Sequence, residues 1–283
     1  MSRGILYIAT GRKSVEETLR SAATVRRYMP NLAMTLVSDL APGSDLFEQH
    51  IPVDQPTFGP ADKVDHIHRS PYDETLYLDS DTLLLADIRP LFELLQQFDF
   101  AAALSPYRAQ FRVTQVPDAF PEYNSGVLLF RRCEVIAELF QKWSRNYHDQ
   151  PSQKPEWLLP GGKHIYGGDL PNQPALRRAL YQSSVRIAAL PPEYNCRINF
   201  PGALHTPVKL IHGRPDSAQK TAALLNRKTL PRVHLMQGGK LKVLDSSMPA
   251  KQTFSARLRW SFHQQGLWKT LRSSLQRLLF RNG

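Results

Sequence analysis

Ile5-Leu6-Tyr7-Ile8-Ala9-Thr10-Gly11-Arg12-Lys13-Ser14-Val15-Glu16-Glu17-Thr18-Leu19 is the stretch on which the fold reading turns. Residues 5–9 are an unbroken apolar run, as a strand covered on both faces requires. Ser14 with Glu17 three residues on has the form of a capping box, which places a helix start at the serine. Val15, Leu19, Ala22, Val25 and Met29 then recur at helical spacing, and Pro30 ends the run. Met34-Thr35-Leu36-Val37 is a second strand. Strand, helix and strand in that order make a βαβ unit, so an α/β fold on a mixed, mostly parallel sheet flanked by helices is predicted.

The alternation continues outward. Residues 61–70 read as helix and 75–78 as strand. Residues 88–97 read as helix with Pro90 in the first turn. Strands follow at 100–104 and 127–130, the second leading into a helix through Val135, Leu139 and Trp143. The Pro- and Gly-rich stretch 149–166 reads as a long loop, of a length and glycine content that suit a lid. Residues 172–181 return to helix, 185–190 and 208–211 to strand.

A chain of 283 residues with 42% hydrophobic and 22% charged residues has enough apolar material for a sizeable core, which excludes a disordered or fibrous chain. Two cysteines, Cys133 and Cys196, cannot build a disulfide framework or a four-thiolate zinc site, so a reducing compartment is expected. No apolar run approaches the ~18–20 residues that span a bilayer. The N-terminal apolar run is short and is followed by Gly11-Arg12-Lys13, so it reads as a buried strand and not as a signal peptide. These features predict a cytoplasmic protein.

The net charge of +11 is unevenly placed. Residues 1–200 hold 21 Lys/Arg and 23 Asp/Glu, whereas residues 201–283 hold 15 Lys/Arg and only Asp216 and Asp245 as acids. From 267 on, Leu267, Trp268, Leu271, Leu275, Leu278 and Leu279 share one helical face and basic residues the other. The division predicted is a domain over 1–245 and a basic amphipathic helical tail over 246–283. Such a tail reads as a contact with an anionic membrane surface on the inner face, better than as a nucleic-acid site; the alternative is a helix packed on the domain.

The chemistry concentrates at Leu76-Tyr77-Leu78-Asp79-Ser80-Asp81-Thr82. Two aspartates follow an apolar strand, at the end where open α/β sheets bind ligands. Two positions apart, they point roughly the same way and can share one divalent cation, with Mg²⁺ or Mn²⁺ suited to hard oxygen ligands. The competing reading is two surface acids in a turn.

This segment resembles the Asp-X-Asp motif of GT-A-type glycosyltransferases, the retaining family eight above all, which includes glycogenin and bacterial lipopolysaccharide galactosyltransferases. The resemblance runs from Ile5 to about Arg214. It implies a GT-A-like, Rossmann-type sheet and transfer of a sugar, as a hexosyltransferase does, from a nucleotide-diphospho-sugar donor to a glycan or lipid-linked acceptor, with retained configuration. It further implies that Asp79, Asp81 and His212 of Ile211-His212-Gly213-Arg214 hold Mn²⁺ or Mg²⁺. Ala9, Thr10 and Arg12 fall in the segment that relatives set against base and ribose, although their usual acidic or amide residue is absent. Lys63 falls where relatives carry a lysine near the diphosphate or sugar, and Ser80 lies near the ribose. Gly213 and Arg214 match part of a phosphate block whose remainder departs from the family's pattern. Asn124, Ser125 and Gly126 match the Asn-X-Gly block beside the sugar. Asn172 and Gln173 match an Asp-Gln block at the reacting carbon, with asparagine in place of aspartate. Asp169 is then the nearest acid. Pro191–Arg197 matches a further block that can be a structural turn.

Two other enzyme classes fit less well. A haloacid-dehalogenase-type phosphohydrolase needs a later pair of acids. A sugar nucleotidyltransferase needs a glycine-rich loop where Gly11-Arg12-Lys13 stands. The asparagine at 172 leaves open a catalytically inactive sugar-nucleotide-binding protein or a membrane-docked scaffold.

Overall fold

A computed structural model describes residues 1–105, 111–113, 115–150, 156–157, 170–227 and 231–245. In chain order the elements are β1 (Arg3–Ile8), α1 (Arg12–Tyr28), β2 (Ala33–Ser38), β3 (Gln49–Pro52), α2 (Pro60–His66), β4 (Glu74–Leu78), β5 (Thr82–Leu84) and β6 (Phe100–Leu104). They continue with β7 (Phe111–Arg112), β8 (Tyr123–Arg131), α3 (Glu134–His148), β9 (Glu156–Trp157), α4 (Gln173–Tyr181), β10 (Ile187–Leu190) and β11 (Cys196–Arg197). The last are β12 (Gly202–Leu204), β13 (Leu210–His212), α5 (Ala218–Leu225), β14 (Arg232–Gln237) and β15 (Lys240–Asp245).

The main sheet has the order β10-β6-β8-β4-β1-β2-β3. Every neighbouring pair is parallel except those of β8, which runs antiparallel to both β4 and β6. The predicted mixed, mostly parallel α/β sheet is present. Its strands read as continuous apolar runs because both faces are covered. Ile5, Tyr7, Met34, Leu36, Leu76, Leu78 and Val127 pack with Val15, Ala22, Val25 and Met29 of α1 on one face. Leu6, Ile8, Val37, Tyr77, Leu128 and Phe130 pack on the other with Val64 of α2, Leu139 and Trp143 of α3 and Leu176 of α4. Alternate residues of each strand thus feed two separate cores.

Several predicted elements differ in detail. Residues 89–96 form a 3-10 helix, not an α-helix, and the helix predicted over 61–70 ends as 3-10 turns at 67–69. The capping box does not form: α1 begins at Arg12 behind Gly11, which puts Ser14 inside the helix. Glu17 is buried and bound elsewhere. Strands β3, β5, β7, β9, β11, β12, β14 and β15 and helix α5 were not foreseen. Most of the loop 149–166 and all of the tail 246–283 lie outside the described residues.

Candidate metal and donor site

The site is assembled at the C-terminal end of β4 by one turn and one register. The Asp79 amide donates to Gly126 O of β8 at 2.8 Å, which pins the strand end. Thr82 closes the turn over Ser80 and Asp81, donating to Asp79 O from its amide at 3.2 Å and from Oγ1 at 2.7 Å. β5 then pairs antiparallel with β13, His212 opposite Thr82. The Gly213 amide donates to Asp81 O at 2.9 Å. A histidine distant in sequence is thereby set beside both aspartates.

His212 Nε2 lies 3.4 Å from Asp81 Oδ1 and 3.8 Å from Asp79 Oδ2. One ligand atom from each residue falls within 4.8 Å of the others. Each carboxylate keeps its other oxygen on a fixed cation: Lys63 Nζ at 2.5 Å from Asp79 Oδ1, and Arg214 Nη1 at 3.3 Å from Asp81 Oδ2. Tyr77 Oη also donates to Asp79 Oδ1, at 2.7 Å. Two carboxylate oxygens and an imidazole nitrogen are a donor set that fits Mn²⁺ or Mg²⁺. Gly126 of β8 makes the approach possible, since a Cβ there would collide with the His212 ring and lie 2.7 Å from Asp79 Oδ2. Burial works against the charged form of Asp81, but the hydrogen bond and charge of His212, with Arg214 and Lys63, hold its carboxyl well below the usual range.

Arg214 leaves β13 at Gly213, whose φ of 133° suits glycine and whose Cβ would press on Ile198 at 2.9 Å. Its Nε and Nη2 donate to Glu17 at 2.6 and 2.9 Å, a two-point fork that holds the Glu17 carboxyl below its ordinary range. Ser80 Oγ donates to the same carboxylate at 3.3 Å. Arg214 remains 62% exposed at the rim of a cleft of about 520 Å³ that Ser80, Asp81 and Gly213 also line.

On the opposite side, polar side chains form a continuous chain. His212 Nδ1 donates to Asn195 Oδ1 (2.8 Å), Asn195 Nδ2 to Asn124 Oδ1 (2.8 Å), Asn124 Nδ2 to Gln173 Oε1 (2.6 Å), and Gln173 Nε2 to Glu122 Oε1 (2.8 Å). Ser125 Oγ donates to Asn172 Oδ1 at 2.7 Å. Trp143 Nε1 donates to Asn172 O at 3.0 Å, fixing the start of α4. Lys63 Nζ reaches Ser125 O at 3.3 Å.

Glu122 is fully buried. Burial pushes its carboxyl up to about 7, against the bond from Gln173 and the charge of Arg177. A carboxyl raised in this way holds its proton in the folded state and loses it in the unfolded chain between pH 4.5 and about 7. Its contribution to stability therefore falls as pH rises through that window, by about 3 kcal/mol at most. Glu122→Gln should lack this slope. Denaturant titrations of both proteins at several pH values check it, and equal slopes would contradict it.

At the end of β1, Ala9 and Thr10 are buried and Arg12 is exposed in the first turn of α1. Thr10 Oγ1 donates to Asp62 Oδ2 at 2.5 Å. The same carboxylate takes Thr57 N and Oγ1 at 2.8 Å and Phe58 N at 2.9 Å, so it ties the loop before α2 to β1. Phe58 is held at φ 58° and is 64% exposed, its ring against Gly11. An exposed aromatic residue in the left-handed region is uncommon and is not explained by core packing.

Asp79, Asp81, His212, Gly213, Arg214, Ser80, Lys63, Gly126, Ser125, Asn124, Asn172 and Gln173 thus fall in one region, with Ala9 and Thr10 at the neighbouring strand end. Asp169 lies outside the described residues. Glu17, Phe58, Asp62 and Glu122 were not foreseen in the site.

No family model matches the chain, and no curated protein matches it. Among solved structures it is similar to the glycosyltransferase GlyE of Streptococcus pneumoniae TIGR4, with TM-score 0.49 and 18% identity over 70% of this chain, which spans 48% of GlyE. It is similar to the galactosyltransferase LgtC in complex with donor and acceptor sugar analogues, with TM-score 0.49 and 14% identity over 79% of this chain and 93% of LgtC. A third is mouse xyloside xylosyltransferase 1, with TM-score 0.49 and 15% identity over 76% of this chain and 98% of the other.

Proposed function

We propose that the chain is a divalent-cation-dependent glycosyltransferase. It would pass a sugar from a nucleotide diphosphate to a hydroxyl of a glycan or lipid-linked acceptor, with retained configuration. The observation that carries the reading is the clustering of Asp79, Asp81 and His212 at the end of β4, between the cations Lys63 and Arg214. β2 and β3 lie on one side of β1 and β4 on the other, so the strand order reverses where this cluster sits. That crevice is the usual ligand position in open α/β sheets.

Glu17, Asp79 and Asp81 set three negative charges against the two cations. With Mn²⁺ or Mg²⁺ on Asp79, Asp81 and His212, the site becomes net positive and complementary to a diphosphate. The ion, when bound, supplies a Lewis acid that neutralises the departing nucleoside diphosphate. Glu17 and Asp81 hold the Arg214 guanidinium in place, and its exposed side would meet a phosphate. Lys63, between Asp79 and Ser125 O, faces the same group. Asn172, Gln173 and Ser125 border the sugar with amides and a hydroxyl, groups that orient but do not take protons. A front-face substitution suits them, with the leaving phosphate accepting the acceptor's proton. NMR of the product configuration tests this: inversion at the anomeric carbon would exclude it.

The Phe58 ring is placed to stack on the base. Such stacking is worth ~1–3 kcal/mol, so Phe58→Ala should weaken a nucleoside diphosphate roughly ten-fold and leave inorganic pyrophosphate unchanged. Calorimetric titration of both anions with Mn²⁺ checks the two claims together. No Mn²⁺-dependent binding of any nucleoside diphosphate to the native protein would sink the function itself.

Among the described residues, no helix is long and apolar enough to cross a membrane. The basic stretch 246–283 supports a contact with an anionic membrane by its charge alone. Failure to sediment with anionic vesicles at low salt would exclude that contact.

A further inference from the structure

The direction of the polar chain behind His212 follows from one backbone group. The Gly126 amide can only donate, and it donates to Asn124 Oδ1 at 3.1 Å. The Asn124 oxygen therefore faces Gly126, and its NH₂ faces Gln173. Asn195 lies 2.8 Å from that same oxygen, so it must present its NH₂ there and its own oxygen to His212. A neutral imidazole is left one tautomer, with the proton on Nδ1 and the lone pair on Nε2, the nitrogen that faces Asp79 and Asp81. At the far end Gln173 Nε2 donates to Glu122 Oε1, in the same sense as the rest of the chain.

We propose that Asn124 is a positioning residue that sets the tautomer of His212. It transmits the polarity of the Gly126 amide through Asn195 and keeps Nε2 bare towards the two aspartates. Asn124 is 3% exposed, and both ends of its amide are taken up inside the protein. It therefore acts through the histidine and not on the sugar. The proposal rests on the reading of Asp79, Asp81 and His212 as a cation site only for its consequence, not for the tautomer itself. Outer hydrogen-bond partners of a ligating histidine typically change metal affinity ten-fold or more.

The test is ¹⁵N NMR of the histidine ring nitrogens in the full-length metal-free protein, at mildly alkaline pH where an ordinary imidazole is neutral, beside a Mn²⁺ titration. In the native protein His212 should show a protonated Nδ1 and a bare Nε2. Asn124→Asp keeps an acceptor for both Gly126 and Asn195 and should preserve that pattern. Asn124→Leu frees Asn195 to turn over, and should give mixed tautomers and roughly ten-fold weaker Mn²⁺ binding. Asn195→Ala breaks the chain one bond nearer and should do the same, so the test survives if the leucine variant does not fold. A His212 with the proton on Nε2 in the native protein, or a tautomer unchanged in Asn195→Ala, would overturn the proposal. A tautomer that responds as expected in a protein that binds no Mn²⁺ would uphold it and refute the cation site.

Discussion

Replacing Asp81 by asparagine should abolish metal-dependent turnover of a sugar nucleotide, by about three orders of magnitude or ~4 kcal/mol in the barrier. The change removes one of two anionic ligands while keeping the size of the side chain. An amide oxygen is a weaker ligand for a hard divalent ion than a carboxylate. The surroundings should survive, because Arg214 stays on Glu17 through two hydrogen bonds and Asp81 O still accepts from the Gly213 amide. Loss of the charge also removes the Coulombic attraction to Arg214. The melting temperature should therefore fall only modestly while Mn²⁺ binding is lost. Turnover that persists in a folded Asp81→Asn protein would mean that these carboxylates do not serve the reaction.

Gly126→Ala should have the second large effect, through space and not charge. An added Cβ would overlap the His212 ring and press on Asp79 Oδ2. Neither neighbour can easily give way: His212 is buried and bonded to Asn195, and Asp79 is tied by its amide to Gly126 O and by its carboxylate to Lys63 and Tyr77. Gly126 lies in β8, the strand between β4 and β6 in the main sheet. Overpacking of such a site destabilises by roughly 1–3 kcal/mol. The ligand geometry should suffer more than the fold, so Mn²⁺ affinity should fall by about two orders of magnitude in a protein that still melts cooperatively. Native Mn²⁺ binding by Gly126→Ala would show that β8 does not set the distance between Asp79 and His212.

The central sheet was legible because its signals are local. Residues 5–9, 34–37 and 76–78 are apolar runs, and strands buried on both faces must be apolar throughout. Asp79 and Asp81 stood out because two charges end such a run. What escaped depends on contacts far apart in the chain. Ser14 and Glu17 match a capping box, yet Glu17 is recruited by Arg214 and Ser80, and the helix starts at Arg12. Nothing near residue 17 announces a partner near residue 214. β5 has three residues and acquires its meaning only by pairing with β13, the register that sets His212 beside Asp81. The hairpin of β14 and β15 did carry a local signal in Gly238-Gly239 between alternating strands, the form of a two-residue turn. Phe58 shows nothing in sequence of its left-handed backbone, whose amide donates to the carboxylate of Asp62. Asn195 sits in a Pro-rich block that reads as a turn, and its part in orienting His212 appears only with the side chains in place.

The most direct test of the account is a donor panel. The native protein and Asp81→Ala are incubated with Mn²⁺ and a series of nucleotide sugars, and released nucleoside diphosphate is measured with and without a chelator. Slow release from one donor by the native protein is expected, abolished by the chelator and by the substitution. Release that is indifferent to both would contradict it.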